Sequence, residues 1–226
     1  MFPPTPTALP QPPLLLVTDR RQARRPLNDV VAAALGAGCR WISLREKDLP
    51  ADEQILLARA LMKVAHAAGA KMSLHGSAIL ARDAGADGAH LPSGSDPHAA
   101  RAIIGAGKLL GISVHSVVEA EAIDPALVDY ALAGPAFETA SKPGYGPQIG
   151  RQGLEEMARV ARVPILAIGG VNAARLGELV AAGVSGAAVM GGVMRAAEPG
   201  QAISALLATL NGAQAVRQTS VFHRPR

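Results

Sequence analysis

The sequence predicts an α/β protein folded as a single (β/α)8 TIM barrel, and three observations carry that prediction. Short apolar runs alternate with stretches of helical spacing, and the alternation repeats eight times between residues 14 and 210. The runs are continuously apolar, the pattern of parallel strands covered on both faces. An Ala-Gly junction recurs at Ala37-Gly38, Ala68-Gly69, Ala84-Gly85 and Ala182-Gly183, where a left-handed glycine can end a helix before a short loop. An open doubly wound sheet usually has fewer strands, so a count of eight favours the barrel.

The elements follow in order. Residues 1–13 contain six prolines and read as a disordered leader. Leu14 to Thr18 is the first buried strand, and Leu27 to Ala37 the first helix, ending at Gly38. Arg40 to Arg45 is a strand, and Pro50 to Ala68 a long helix closed by Gly69. Lys71 to Leu74 and Asp87 to Leu91 are strands flanking a helix over Ser77 to Ala84. Asp96 caps a helix that begins at Pro97. Lys108 to Val114 and Leu127 to Ala133 are strands around a short helix over Ser116 to Ala122. Residues 134–150 form a long Gly- and Pro-rich loop, a length that itself suggests function. Gln152 to Val160 is a helix, Pro164 to Ile168 a strand, and Asn172 caps a helix reaching Ala182. Ser185 to Met190 is the last strand and Gly200 to Leu210 the last helix, so the barrel domain spans 14–210. Residues 211–226 are polar and basic and read as a flexible tail.

Composition narrows the function classes. Aromatic residues are 3% of the chain, too few for a surface that stacks nucleic-acid bases. The net charge of +4 comes from arginines at 20, 21, 24 and 25 and in the tail, read as a solvated basic face, so no nucleic-acid partner is expected. Cys39 is the only cysteine, which excludes an intramolecular disulfide and a cysteine metal site. No run of about 18 uninterrupted apolar residues exists and no secretory signal is recognised, so no membrane partner and a cytoplasmic setting are expected. A homodimer is left open.

Barrel chemistry sits at the C-terminal strand ends. Gly169-Gly170 after strand 7 and Met190-Gly191-Gly192 after strand 8 mark a phosphate site. Without Cβ atoms the backbone approaches a ligand closely, and the helix start at Asn172 favours an anion. Thr139, Ser141 and Lys142 on the loop after strand 6 suit the same phosphate from the other side. Arg45 and Lys47, two residues apart on one strand end, project together and suit a carboxylate or second phosphate group, with Glu46 pointing elsewhere or pairing with one of them. His115 follows an apolar strand and reads as an acid/base at the barrel mouth. His90 reads as structural or as a support behind the site, His75 as either structural or functional, while His66 and His98 fall on helices. No carboxylates cluster on neighbouring loops, so no Mg2+ site is evident.

These residues carry a resemblance. Leu44-Arg45-Glu46-Lys47, His90-Leu91-Pro92-Ser93-Gly94-Ser95, Ser113-Val114-His115-Ser116, Phe137-Glu138-Thr139, Ala167-Ile168-Gly169-Gly170 and Ala187-Ala188-Val189-Met190-Gly191 together resemble the thiamine phosphate synthase/TenI superfamily, and more closely its TenI branch. The resemblance covers residues 14 to 210 and implies a thiamine-pathway barrel that binds a thiazole phosphate. The synthase branch joins hydroxymethylpyrimidine pyrophosphate to thiazole phosphate with Mg2+. Its Asn-Asp-Asp after strand 3 and its Gly-Gln-Glu-Asp after strand 4 are replaced here by His75-Gly76-Ser77 and Pro92-Ser93-Gly94-Ser95, leaving only the adjacent Asp96 as a substitute ligand. Ser43 replaces a glutamine typical of that branch, while Arg45 and Lys47 match it. The TenI branch includes a metal-free thiazole tautomerase whose catalytic histidine matches His115. The expectation is therefore a metal-free, cofactor-free tautomerase using His115. A divergent Mg2+-dependent synthase and a non-catalytic thiazole-phosphate-binding regulator are the alternatives.

Overall fold

The computed structural model describes residues 7–139 and 147–222, with side chains up to residue 216. Eight parallel strands close into a barrel in sequence order, β8 pairing back onto β1. The strands are β1 (Leu14–Val17), β2 (Trp41–Leu44), β3 (Lys71–His75), β4 (Gly88–Leu91), β5 (Leu109–Val114), β6 (Tyr130–Ala133), β7 (Ile165–Ile168) and β8 (Gly186–Val189). The helices are α1 (Leu27–Gly36), α2 (Ala51–Ala67), α3 (Ala78–Ala84), α4 (Pro97–Ile104), α5 (Val117–Glu121), α6 (Gly150–Val160), α7 (Ala173–Ala181), α8 (Gly191–Met194) and α9 (Pro199–Phe222).

The junction glycines behave as their position requires. Gly38, Gly69, Gly85 and Gly183 have φ of +102, +67, +76 and +92, a region closed to most side chains. Ser77, Asp96, Ser116 and Asn172 cap α3, α4, α5 and α7 with their side-chain oxygens, satisfying backbone N–H groups that the helix start leaves without partners. These caps set where each helix begins relative to the strand end before it.

The core has two parts. The larger lies between the outer strand face and the helices, and includes Leu14, Leu16, Ile42, Leu44 and Leu74. The smaller fills the barrel itself with Leu15, Val17, Trp41, Leu109, Tyr130, Leu132 and Leu166. Trp41 meets Tyr130 edge to face at 4.7 Å. The Tyr130 ring fits because β5 offers Gly111, where a Cβ would lie 2.1 Å from the Tyr130 Cζ. Trp41 and Tyr130 thus plug the barrel below its mouth. Cys39 is buried, and burial pushes its thiol pKa up, which keeps it protonated.

Three boundaries differ from the expected ones. Pro10 and Pro13 are buried, and the Thr7 amide donates to Asp129 Oδ1 at 2.9 Å, so residues 7–13 of the expected leader pack under the barrel floor. The glycine turn after β8 winds into the short helix α8. Helix α9 passes the expected end at Leu210 and runs to Phe222, because Asn211 to Ser220 contain no proline to stop it. Among the described residues no helix is long and apolar enough to cross a membrane.

Candidate active site

At the C-terminal ends of the strands lies a cavity of about 660 Å3, a size that suits a small organic ligand. Val17, Leu132, Ile168 and Ala188 form its apolar floor. Its polar groups come from the strand ends and the loops above.

The β7 and β8 loops form a backbone wall. Gly169 and Gly170 have φ of +95 and +66, so glycine is required on conformational grounds alone. It is required sterically as well, since a Cβ on Gly170 would lie 2.4 Å from the Glu138 carbonyl oxygen. The β6 loop is zipped against this turn, the Ala136 amide donating to Ile168 O at 2.7 Å and the Phe137 amide to Gly169 O at 3.0 Å. Asn172 Oδ1 accepts from the Arg175 amide and caps α7. Met190, Gly191 and Gly192 line the same wall from the neighbouring strand. Amides at these helix starts carry partial positive charge and suit an anion. Thr139 lines the cavity, whereas Ser141 and Lys142 lie outside the described residues.

Arg45 and Lys47 both line the cavity after β2, and Glu46 turns away from it. The Glu46 carboxylate is 2% exposed. It accepts from Thr18 Oγ1 at 2.7 Å, from the Arg20 amide at 3.0 and 3.1 Å and from the Arg20 guanidinium at 3.3 Å. Thr18 Oγ1 in turn accepts from the Arg45 amide at 2.9 Å. Glu46 therefore fixes the loop after β1 and, through Thr18, the backbone that carries Arg45. Arg20 also pairs with Asp48 at 2.7 Å, which holds the Asp48 carboxyl below its ordinary pKa.

The third wall carries no carboxylate, lysine or arginine among the described residues. His75, Ser93, Ser113 and His115 line it. His90 lies beneath, wholly buried, its ring 4.6 Å from that of His75. Its Nε2 is 2.9 Å from Ser113 Oγ and its Nδ1 is 3.3 Å from the Tyr130 hydroxyl. Burial, with the charge of Lys47 adding to it, lowers the His90 pKa to about 3, so the ring is uncharged at neutral pH. Burial likewise raises the Tyr130 pKa, keeping its hydroxyl protonated. His115 Nδ1 lies 2.5 Å from Gly134 O; donation to that carbonyl leaves Nε2 as the acceptor nitrogen.

Three residues at the site were not expected from the sequence. Glu119 ties two loops together, accepting from Ser93 Oγ at 3.1 Å and from the His115 amide at 2.5 Å. The Ser116-x-x-Glu119 spacing of a capping box was the available signal. Arg175 lines the cavity from the first turn of α7, its guanidinium 4.4 Å from the Phe137 ring centroid. Arg195 lines it from the end of α8 and donates to Gln22 Oε1. Neither arginine belongs to a motif.

The donor set does not suit Mg2+, which is bound through carboxylates placed on the cavity. Glu138 is the one carboxylate among the described lining residues. Asp96, the remaining substitute ligand, caps α4 by accepting from the His98 amide at 2.9 Å. Ser77 Oγ is likewise engaged at the start of α3. Among the described residues no group of three or more His, Cys, Asp or Glu side chains could hold a metal ion.

Comparison with known proteins bears on this geometry. The family model described as Thiamine monophosphate synthase (TMP-TENI) matches residues 14–193. The chain is 38% identical over 200 residues to a Thiamine-phosphate synthase of Roseiflexus sp. (strain RS-1), covering 88% of this chain and 85% of that protein. It is 38% identical over 199 residues to a Putative thiamine-phosphate synthase of Geobacter sulfurreducens, covering 87% and 93%. Among solved structures, a Thiamine phosphate pyrophosphorylase from Pyrococcus furiosus superposes with a TM-score of 0.80 at 28% identity, covering 88% of this chain and 96% of that one. These similarities overturn the expected tautomerase: the relatives that match nearly the whole chain carry the synthase name. His115 does not separate the two activities, because a histidine at this strand end resembles both branches.

Proposed function

Because the chain belongs to the thiamine monophosphate synthase (TMP-TENI) family, we propose that it is a transferase that joins hydroxymethylpyrimidine pyrophosphate to thiazole phosphate. The observation that carries this reading is the 38% identity to a Thiamine-phosphate synthase over 88% of the chain. The geometry supports it, since the cavity has two separate regions suited to anions. The glycine wall of Gly169, Gly170, Gly191 and Gly192, with Thr139, receives the thiazole phosphate. From the sequence alone, Ser141 and Lys142 are proposed as further phosphate ligands. Arg45 and Lys47 face the pyrophosphate of the other substrate.

In the step so arranged, the thiazole ring nitrogen forms a bond to the pyrimidine methylene carbon. The bond from that carbon to the diphosphate oxygen breaks, and pyrophosphate leaves with the electron pair. The protein's part is to hold the two reactants in line and to stabilise the charge that develops on the leaving oxygen. No proton leaves carbon, so His115 serves by position: its Nδ1 contact with Gly134 O and its amide bond to Glu119 hold the β5 and β6 loops against one another. Incubation of the purified chain with both substrates, with and without Mg2+, tests this reading by mass spectrometry of the product and assay of released pyrophosphate. Failure to form thiamine phosphate under either condition refutes it.

A further inference from the structure

The lining cations lie on one arc of the barrel mouth. Arg175 follows β7, Arg195 follows β8, and Arg45 and Lys47 follow β2, with β1 the one strand between. The arc is continuous in structure: the Arg24 amide donates to Met194 O at 3.1 Å, and Arg195 donates to Gln22, so the loops after β1 and β8 are joined. Among the described lining residues the one carboxylate is that of Glu138, which follows β6. The opposite arc, after β3 to β5, contributes His75, Ser93 and His115. Of the acids on these loops, Glu46 and Asp48 pair with Arg20, Glu198 with Arg25, Asp19 accepts from Gln22 and the Arg21 amide, and Glu119 accepts from Ser93 and the His115 amide. The charge of Lys47 reaches into the barrel, where it adds to the lowering of the His90 pKa.

A divalent cation entering this mouth would meet like charge on one arc and no carboxylate on the other. A diphosphate would meet the reverse, several guanidinium and ammonium donors that bind phosphate oxygens through charge-assisted hydrogen bonds. We infer that this chain neutralises the leaving pyrophosphate with side-chain cations, Arg45 and Lys47 supported along the arc by Arg195, in the place of a divalent metal ion. The inference rests on the transferase reading and states how that same site handles charge. It makes the chain a metal-independent variant of the reaction.

Titration calorimetry of the full chain with inorganic pyrophosphate separates the two ideas. Pyrophosphate binds in EDTA, and excess Mg2+ weakens the binding, because the magnesium complex carries less negative charge. Arg45→Gln weakens it by about tenfold or more, the loss of one charged hydrogen-bonding partner, and Lys47→Gln serves as the second variant if the first does not fold. Thiamine phosphate formation proceeds in EDTA at a rate comparable to that with Mg2+. The inference is overturned if Mg2+ strengthens pyrophosphate binding, or if EDTA abolishes turnover and Mg2+ restores it. If no product forms under either condition, the transferase reading fails, and the pyrophosphate titration still decides the question of charge.

Discussion

Replacing Gly170 with alanine perturbs the phosphate wall at its most constrained point. A Cβ there would lie 2.4 Å from the Glu138 carbonyl oxygen and 2.8 Å from Phe137 Cβ. That oxygen must retreat by about 1 Å, the difference between 2.4 Å and the 3.4 Å at which contacts become ordinary. Because it is backbone, the retreat carries the Phe137–Thr139 segment with it. The φ of +66 adds a left-handed penalty of about 1–2 kcal/mol, and the overlap adds about 1–3 kcal/mol. A net loss of about 3 kcal/mol lowers the Tm by about 6–12 °C in a chain of this size. A displacement near 1 Å in a positioning loop costs turnover about 100-fold. Thermal unfolding and single-turnover product formation measure the two effects. Gly177→Ala in α7 is the control, with nothing within 4 Å of its Cβ, and it stabilises by about 0.5–1 kcal/mol. A Gly170→Ala protein with wild-type Tm and turnover would refute the steric argument for the glycine wall.

Glu46→Gln removes a buried charge that answers Arg20 and brings an amide N–H toward donors that need an acceptor; urea unfolding should show a loss of about 3 kcal/mol. The depressed pKa of His90 makes stability depend on pH. The unfolded ring takes up a proton below its ordinary pKa of 6.5, while the folded ring stays neutral down to about 3, so stability present above pH 6.5 is lost as the pH falls. Between pH 7.5 and 5 the loss from this group is about 2 kcal/mol, and His90→Gln should flatten that part of the profile in denaturant titrations. His115→Asn should lower thiamine phosphate formation by less than about tenfold; a drop of 100-fold or more would signal proton transfer by this side chain.

Much of the fold was legible because it depends on local chemistry. The continuous apolar runs, the left-handed glycines at 38, 69, 85 and 183, and the caps Asp96 and Asn172 each act within a few residues. The glycine pairs and the Arg45, Lys47 spacing located two walls of the cavity for the same reason. The alternation of side chains along a strand sends Arg45 and Lys47 one way and Glu46 the other.

The rest needed three dimensions. That Glu46 is buried follows from the approach of Arg20, 26 residues earlier, across the β1–β2 pairing. That Arg195 shares the cavity with Arg45 follows from closure, which sets β8 beside β1 and so brings the two ends of the sheet together. Arg175 reaches the cavity through the angle at which α7 leaves the glycine turn, and its contact with Phe137 spans two loops. Sequence periodicity reports which face of an element is apolar; it carries no information on which distant element arrives at that face. The strands, caps and glycine wall were therefore determined by the sequence read locally. The cationic arc, and with it the way this site meets a diphosphate, was decided by barrel closure, because charge adds through space.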